Sequence, residues 1–135
     1  MIQKIEHIGI AVKNIEKANR IYEQLLGIAP YKTERVESEG VNTSFFQTKE
    51  SKIELLEPSK DDSPIAKFIT KRGEGIHHIA FAVEDIYTEI KRLKKHGISL
   101  INEEPKKGAD NKLICFISPK DSNGVLVELC QEIIK

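Results

Sequence analysis

The chain repeats itself. Residues 5–15, Ile-Glu-His-Ile-Gly-Ile-Ala-Val-Lys-Asn-Ile, align with residues 76–86, Ile-His-His-Ile-Ala-Phe-Ala-Val-Glu-Asp-Ile, at an offset of 71. Six of the eleven positions are identical: Ile5/Ile76, His7/His78, Ile8/Ile79, Ala11/Ala82, Val12/Val83 and Ile15/Ile86. Each segment is followed by a helical pattern ending in Gly-Ile, at Gly27-Ile28 and Gly97-Ile98. Each half then closes on an apolar stretch with an embedded glutamate, Ile53-Glu54-Leu55 and Val127-Glu128-Leu129. The offset drifts from 71 to 70 to 74, as loop insertions and deletions make it do. A motif that recurs once in 135 residues restricts the fold to one built twice from the same supersecondary module.

The pattern within a module reads βαβββ. Residues 3–12 alternate as a strand, and Asn14 is placed to cap a helix over about 15–26 with Ile15, Ala18, Tyr22 and Leu25 on one stripe. Gly27 suits the left-handed position that ends it. Extended stretches follow near 30–37, 41–48 and 52–57, with turn signals at Gly40 and Lys49-Glu50-Ser51. Ser63-Pro64 opens a linker helix that stops at Gly73. The second half predicts a strand at about 75–83, a helix from Asp85 to His96 carrying Ile86, Ile90 and Leu93, and strands near 98–104, 112–118 and 124–132. Loops are expected around Lys106-Lys107-Gly108 and from Pro119 to Gly124. With no low-complexity tract between the halves, the expectation is one α+β domain over 1–135: module one about 1–60, linker helix about 63–73, module two about 74–135.

Charge narrows the partners. Twenty-one basic side chains cancel 21 acidic ones, so the chain has no long-range field for a nucleic-acid backbone or an anionic membrane. No run approaches the ~20 apolar residues of a membrane span. Met1-Ile2-Gln3-Lys4 leads into the strand pattern without an apolar signal core, and Cys115 and Cys130 are the only cysteines, so a reduced, cytoplasmic protein is expected.

Four residues do not fit an apolar core. In a strand, side chains alternate between faces. Ile8, Ile10 and Val12 therefore share the helix-facing side while His7, Gly9 and Ala11 share the other; Ile79, Phe81 and Val83 oppose His78, Ala80 and Ala82 in the same way. A histidine beside small residues leaves room for something that is not protein. Glu54 and Glu128 each lie on the face opposite their apolar neighbours, and a buried carboxylate is costly unless it is paired or bound to a metal. Two imidazoles and two carboxylates at equivalent repeat positions can close around one divalent cation and leave coordination sites open. His77 falls on the helix-facing side and reads as structural or surface, and His96 as a helix-end charge. Cys130 shares the parity of Glu128, but its repeat counterpart is Leu56, so it reads as a small apolar filler.

At these residues the chain resembles the vicinal oxygen chelate superfamily, and within it the methylmalonyl-CoA epimerase family. The likeness runs from about residue 3 to 131. It rests on His7-Ile-Gly-Ile-Ala-Val12, Lys52-Ile-Glu-Leu-Leu-Glu-Pro58, Ser63-Pro-Ile-Ala-Lys-Phe68, Gly73-Glu-Gly-Ile-His-His-Ile-Ala-Phe81, Ser118-Pro-Lys120 and Gly124-Val-Leu-Val-Glu-Leu129. The resemblance implies paired βαβββ modules forming a cupped eight-stranded mixed sheet with helices on the convex face. It implies a divalent metal (cobalt, zinc, nickel or manganese) on His7, Glu54, His78 and Glu128. The implied reaction is 1,1-proton transfer that interconverts (2R)- and (2S)-methylmalonyl-CoA through a metal-stabilised enolate, with Glu128 as base as well as ligand, in a homodimer that takes an acyl-CoA substrate. Thr43 stands where some members carry a second glutamate, and a threonine hydroxyl is no base at neutral pH, so the second acid/base is unassigned; Glu37, Glu39 and Glu50 lie near turns. The same four ligands would serve a glyoxalase I, although Ser118-Pro-Lys-Asp-Ser-Asn-Gly124 differs from the acidic turn of that group. A non-catalytic drug-binding protein of the same fold is the third reading. Lys106, Lys107, Lys120 and Arg72 are scattered cations that could meet CoA phosphates but read more simply as surface charge. If Glu54 and Glu128 are answered internally by a dication, the exterior is left slightly basic.

Overall fold

The computed structural model describes residues 1–133 and divides into two compact units: Ile8–His77, here the central unit, and Met1–His7 with the chain from His78 onward, here the terminal unit. Two strands pass from one to the other, β1 (Ile2–Ala11) and β5 (Gly75–Val83).

In the central unit α1 (Ile15–Leu26) begins where Asn14 accepts a hydrogen bond from the Lys17 amide and ends at Gly27, whose φ of 72° lies in the left-handed region. The strands β2 (Lys32–Val36), β3 (Val41–Gln47) and β4 (Lys52–Pro58) form an antiparallel meander, and β1 lies beside β4. Cross-strand register sets the faces. Lys32 opposes Phe45, which opposes Glu54, while Glu34 opposes Thr43, which opposes Leu56; these six side chains share one face of the meander. The other face carries Phe46, Leu55 and Ile53, which pack with Val12, Ala18 and Tyr22 under α1. Helix α2 (Pro64–Arg72) is capped by the Ser63 hydroxyl, which accepts from the Ala66 amide.

The terminal unit repeats the plan. Strand β5 runs parallel to β8 (Val127–Glu132), β8 antiparallel to β7 (Lys112–Ile117), and β7 antiparallel to a two-residue β6 (Lys106–Lys107). Helix α3 (Ile86–Lys95) starts at Asp85, whose carboxylate accepts from the Tyr87 and Thr88 amides. It buries Ile86, Ile90 and Leu93 against Val83, Cys115, Ile117 and Leu129. The hydrogen-bonded strand order is β2-β3-β4-β1-β5-β8-β7-β6, one eight-stranded mixed sheet of two βαβββ modules. No helix among the described residues is long and apolar enough to cross a membrane.

One expected strand does not form. Residues 98–104 make a single bridge, Leu100 to Ile117, and the short strand falls instead at Lys106–Lys107, where a loop was expected. The ladder is intercepted by side chains: the Asn102 Oδ1 accepts from the Phe116 amide at 3.1 Å and the Asp121 carboxylate accepts from the Ser99 amide at 2.6 Å. Ile98 and Leu100 still pack on the α3 core, which is why the alternation is present without the strand.

Two glycines give a stability test. Gly27 and Gly40 both have positive φ, 72° and 64°, but a Cβ on Gly27 would meet nothing within 4 Å whereas one on Gly40 would lie 2.8 Å from the Ser63 Cβ at the cap of α2. Left-handed strain alone costs about 1–2 kcal/mol. Gly40→Ala is therefore expected to lower the thermal midpoint further than Gly27→Ala, by at least several degrees, in parallel melts followed by circular dichroism.

Candidate metal centre

Strand pairing carries three of the four sequence-selected residues to one point in the terminal unit. His7 ends the part of β1 that belongs to this unit, His78 lies on β5, and Glu128 on β8 stands in register with Ala80 of β5. His7 Nε2 and His78 Nε2 are 3.0 Å apart, and Glu128 Oε1 is 3.1 Å from His78 Nε2 and 3.6 Å from His7 Nε2. The rings meet edge to face, 86° between planes. All three residues are buried, at 4%, 5% and 5% exposure, so they are not solvated surface groups.

The donors suit a cation. Ligand bonds of about 2.0–2.1 Å put neighbouring donors on one metal about 3.0–3.4 Å apart, close to the separations of these three atoms. Two imidazole nitrogens and a carboxylate oxygen are also the ligand types that divalent first-row metals take. Glu54, the fourth expected ligand, lies on β4 in the central unit, is buried at 5% exposure, and projects on the face that carries Phe45 and Thr43.

Register adds a feature that the sequence repeat concealed. Glu54 stands directly across from Phe45, and Glu128 directly across from Phe116. Each candidate carboxylate thus has a phenyl ring as its neighbour, and Phe116 also meets the His78 ring edge-on at 6.0 Å between centroids. A wall of this kind lowers the local dielectric and strengthens any interaction of the carboxylate with a cation. In the terminal unit Gln3, Lys4, Glu6, Lys112, Cys130 and Glu132 line part of a hollow of about 290 Å³.

The remaining sequence-selected residues separate cleanly. His77 packs edge-on against Phe68 at 5.0 Å, a structural contact, and His96 is exposed at the end of α3. Lys106, Lys107, Lys120 and Arg72 are exposed. Glu37 pairs with Arg35 at 2.6 Å and is exposed, as is Glu50, while Glu39 is half-buried in a short helical turn. Thr43 is buried with no hydrogen-bond partner for its hydroxyl, and the carboxylate nearest to it by register is Glu34 on β2, which pairs with Lys32 at 3.1 Å.

One residue near the cluster was not apparent from the sequence. Glu6, which alternation assigns to the opposite face from His7, is buried and turns its Oε1 to within 2.8 Å of His7 Nδ1. Cys130 packs with Ala80 and Ile114 as a small apolar filler should, and its sulfur, the Glu6 carboxylate and a His7 nitrogen also lie within 4.8 Å of one another. An acid adjacent in sequence to a candidate ligand histidine was the available signal.

The Glyoxalase/Bleomycin resistance protein/Dioxygenase superfamily model matches residues 6–116, and the chain belongs to that superfamily. It is 45% identical over 130 residues to the uncharacterized protein YqjC of Bacillus subtilis, spanning 96% of this chain and 93% of that one. It is 42% identical over 133 residues to the ethylmalonyl-CoA/methylmalonyl-CoA epimerase of Cereibacter sphaeroides, spanning 97% and 99% of the two chains. A Streptomyces coelicolor methylmalonyl-CoA epimerase variant solved with 2-nitronate-propionyl-CoA superposes with a TM-score of 0.92 at 33% identity, covering 98% of this chain and 96% of that one. Within the superfamily the chain stands in the methylmalonyl-CoA epimerase family, a family of isomerases.

Burial works against the charge of Glu128, but the adjoining imidazoles of His7 and His78 outweigh it and hold the carboxyl at about 2, below its ordinary 4.5. A folded-state value below the unfolded one contributes stability that is full above about 4.5 and is lost as pH falls toward about 2. The metal-free protein is expected to lose thermal stability through that window. Glu128→Gln should flatten this acid limb in melts taken from pH 6 to pH 2.

Proposed function

We propose that the chain is a metal-dependent epimerase that interconverts the (2R) and (2S) forms of methylmalonyl-CoA. The observation that carries the reading is the buried His7–His78–Glu128 cluster, with donor separations of 3.0, 3.1 and 3.6 Å, in a chain of the epimerase family. His7, His78 and Glu128, with Glu54 as the fourth donor, hold one divalent ion in this proposal. A bound dication supplies electrostatic stabilisation for the negative charge that develops on the thioester oxygen when the adjacent carbon loses its proton.

The protein's own groups do the proton transfer. One carboxylate takes the proton from C2, the C–H electron pair moves into the C1–C2 bond as the enolate, and a proton returned to the opposite face of C2 gives the inverted product. In this reading Glu128 is ligand and one acceptor. Thr43 cannot be the other, so the second acid/base group is unassigned. In this reading the chain is a cytoplasmic protein of one domain that works as a homodimer, and sedimentation of the purified protein tests the dimer.

The test is proton NMR of methylmalonyl-CoA in deuterated water with the metal-loaded protein. Enzyme-dependent loss of the C2 proton signal with inversion is expected, and its absence overturns the reading. His7→Ala should lose the metal and the exchange together. Loss of an acid/base group costs about 10²–10⁴-fold, so Glu128→Gln should slow inversion by at least that factor. Turnover of a glutathione hemithioacetal, with no C2 exchange, would move the assignment to glyoxalase chemistry on the same ligands.

A further inference from the structure

We propose that Glu6 is the positioning residue of the metal centre: its carboxylate holds the Nδ1 proton of His7 and so presents the Nε2 lone pair to the cation. The inference rests on the metal-site reading above and goes beyond it in naming what sets the ligand. Glu6 Oε1 lies 2.8 Å from His7 Nδ1, and both side chains are about 5% exposed. A carboxylate is rarely buried at this level unless it answers a donor, and the Nδ1–H of His7 is such a donor.

Chemistry fixes the consequence. A neutral imidazole carries its proton on one nitrogen and its lone pair on the other. With the proton held at Nδ1 by Glu6, Nε2 is the lone-pair nitrogen, and Nε2 is the atom that faces His78 Nε2 at 3.0 Å and Glu128 Oε1 at 3.6 Å. The ring is thus held in the tautomer that a cation needs. A carboxylate behind a ligand histidine also raises its basicity, and removing such a partner typically costs about 10–100-fold in metal affinity.

The repeat argues that this is specific to one half. His77 occupies the position equivalent to Glu6, so the second module offers no acid from that place, and His77 packs on Phe68 instead. Cys130 closes the group on the third side, its sulfur within 4.8 Å of Glu6 and His7 donor atoms. A thiol, carboxylate and imidazole so close could alternatively ligate a second, thiophilic ion, which the test separates.

Cobalt(II) titration of the metal-free full chain, read by visible absorption against a competing chelator, provides the experiment. The native protein is expected to take one equivalent, and His78→Ala to abolish it; if His78→Ala binds as the native protein does, the metal-site reading falls, and this inference with it. Glu6→Gln should weaken cobalt(II) about 10–100-fold and shift its absorption bands, with the metal-free melting temperature little changed. Nitrogen-15 NMR should place the His7 proton at Nδ1 in the native protein. Should Glu6→Gln not fold, Glu6→Asp is measured in its place, with intermediate affinity expected. Native affinity and spectrum in a folded Glu6 variant, with His78→Ala still metal-free, would overturn the positioning role alone. A second equivalent of cobalt(II) that vanishes in Cys130→Ser would overturn it as well, making Glu6 a ligand.

Discussion

The structure of the centre turns on one imidazole with both nitrogens engaged. His7 meets a carboxylate at Nδ1 and a second imidazole at Nε2, all within hydrogen-bonding distance and out of water. Few arrangements of buried polar groups survive without full partnership, since each unmet group costs about 1–3 kcal/mol. Here the partnership is distributed over β1, β5 and β8, so the pairing of those strands and the chemistry of the centre stand or fall together. The parallel register of Ala80 with Glu128 is as much a part of the site as the carboxylate itself.

Much of this was legible because strands impose a period of two and the sequence states its pattern twice. The parity of His7 with Gly9 and Ala11, and of His78 with Ala80 and Ala82, selected the two histidines that lie together, and the repeat selected Glu128 beside them; Glu54, selected in the same way, lies in the central unit. Helix bounds followed from their caps: Asn14 and Gly27 enclose Ile15–Leu26, and Ser63 and Gly73 enclose Pro64–Arg72.

What the sequence concealed is equally physical. Alternation assigns the Cβ of Glu6 to one side but says nothing about where a flexible side chain with a charged end will reach once a histidine donor is near. Cross-strand neighbours, such as Phe45 with Glu54 and Phe116 with Glu128, depend on hydrogen-bond register, which turn lengths set and composition does not. Residues 98–104 misled for a third reason: Asn102 offers Phe116 the acceptor that a backbone carbonyl would have offered, so local side-chain bonding defeats a correct apolar alternation.

The paired Phe and Glu positions also bear on how such a chain can vary over time. Phe45 and Phe116 keep the 71-residue spacing of the first strands, whereas Glu54 and Glu128 are 74 apart, so the three extra residues lie between β7 and β8, outside the strands themselves. A single residue gained or lost inside β4 or β8 would turn each following side chain to the other face and exchange the carboxylate for isoleucine, valine or leucine. Length changes are therefore filtered by phase: loops absorb them freely, strands transmit them as inversions. Two copies that diverged from one module can drift in nearly every residue identity and in every turn, yet remain locked in step at the few positions where an odd-numbered shift would put grease where charge is required.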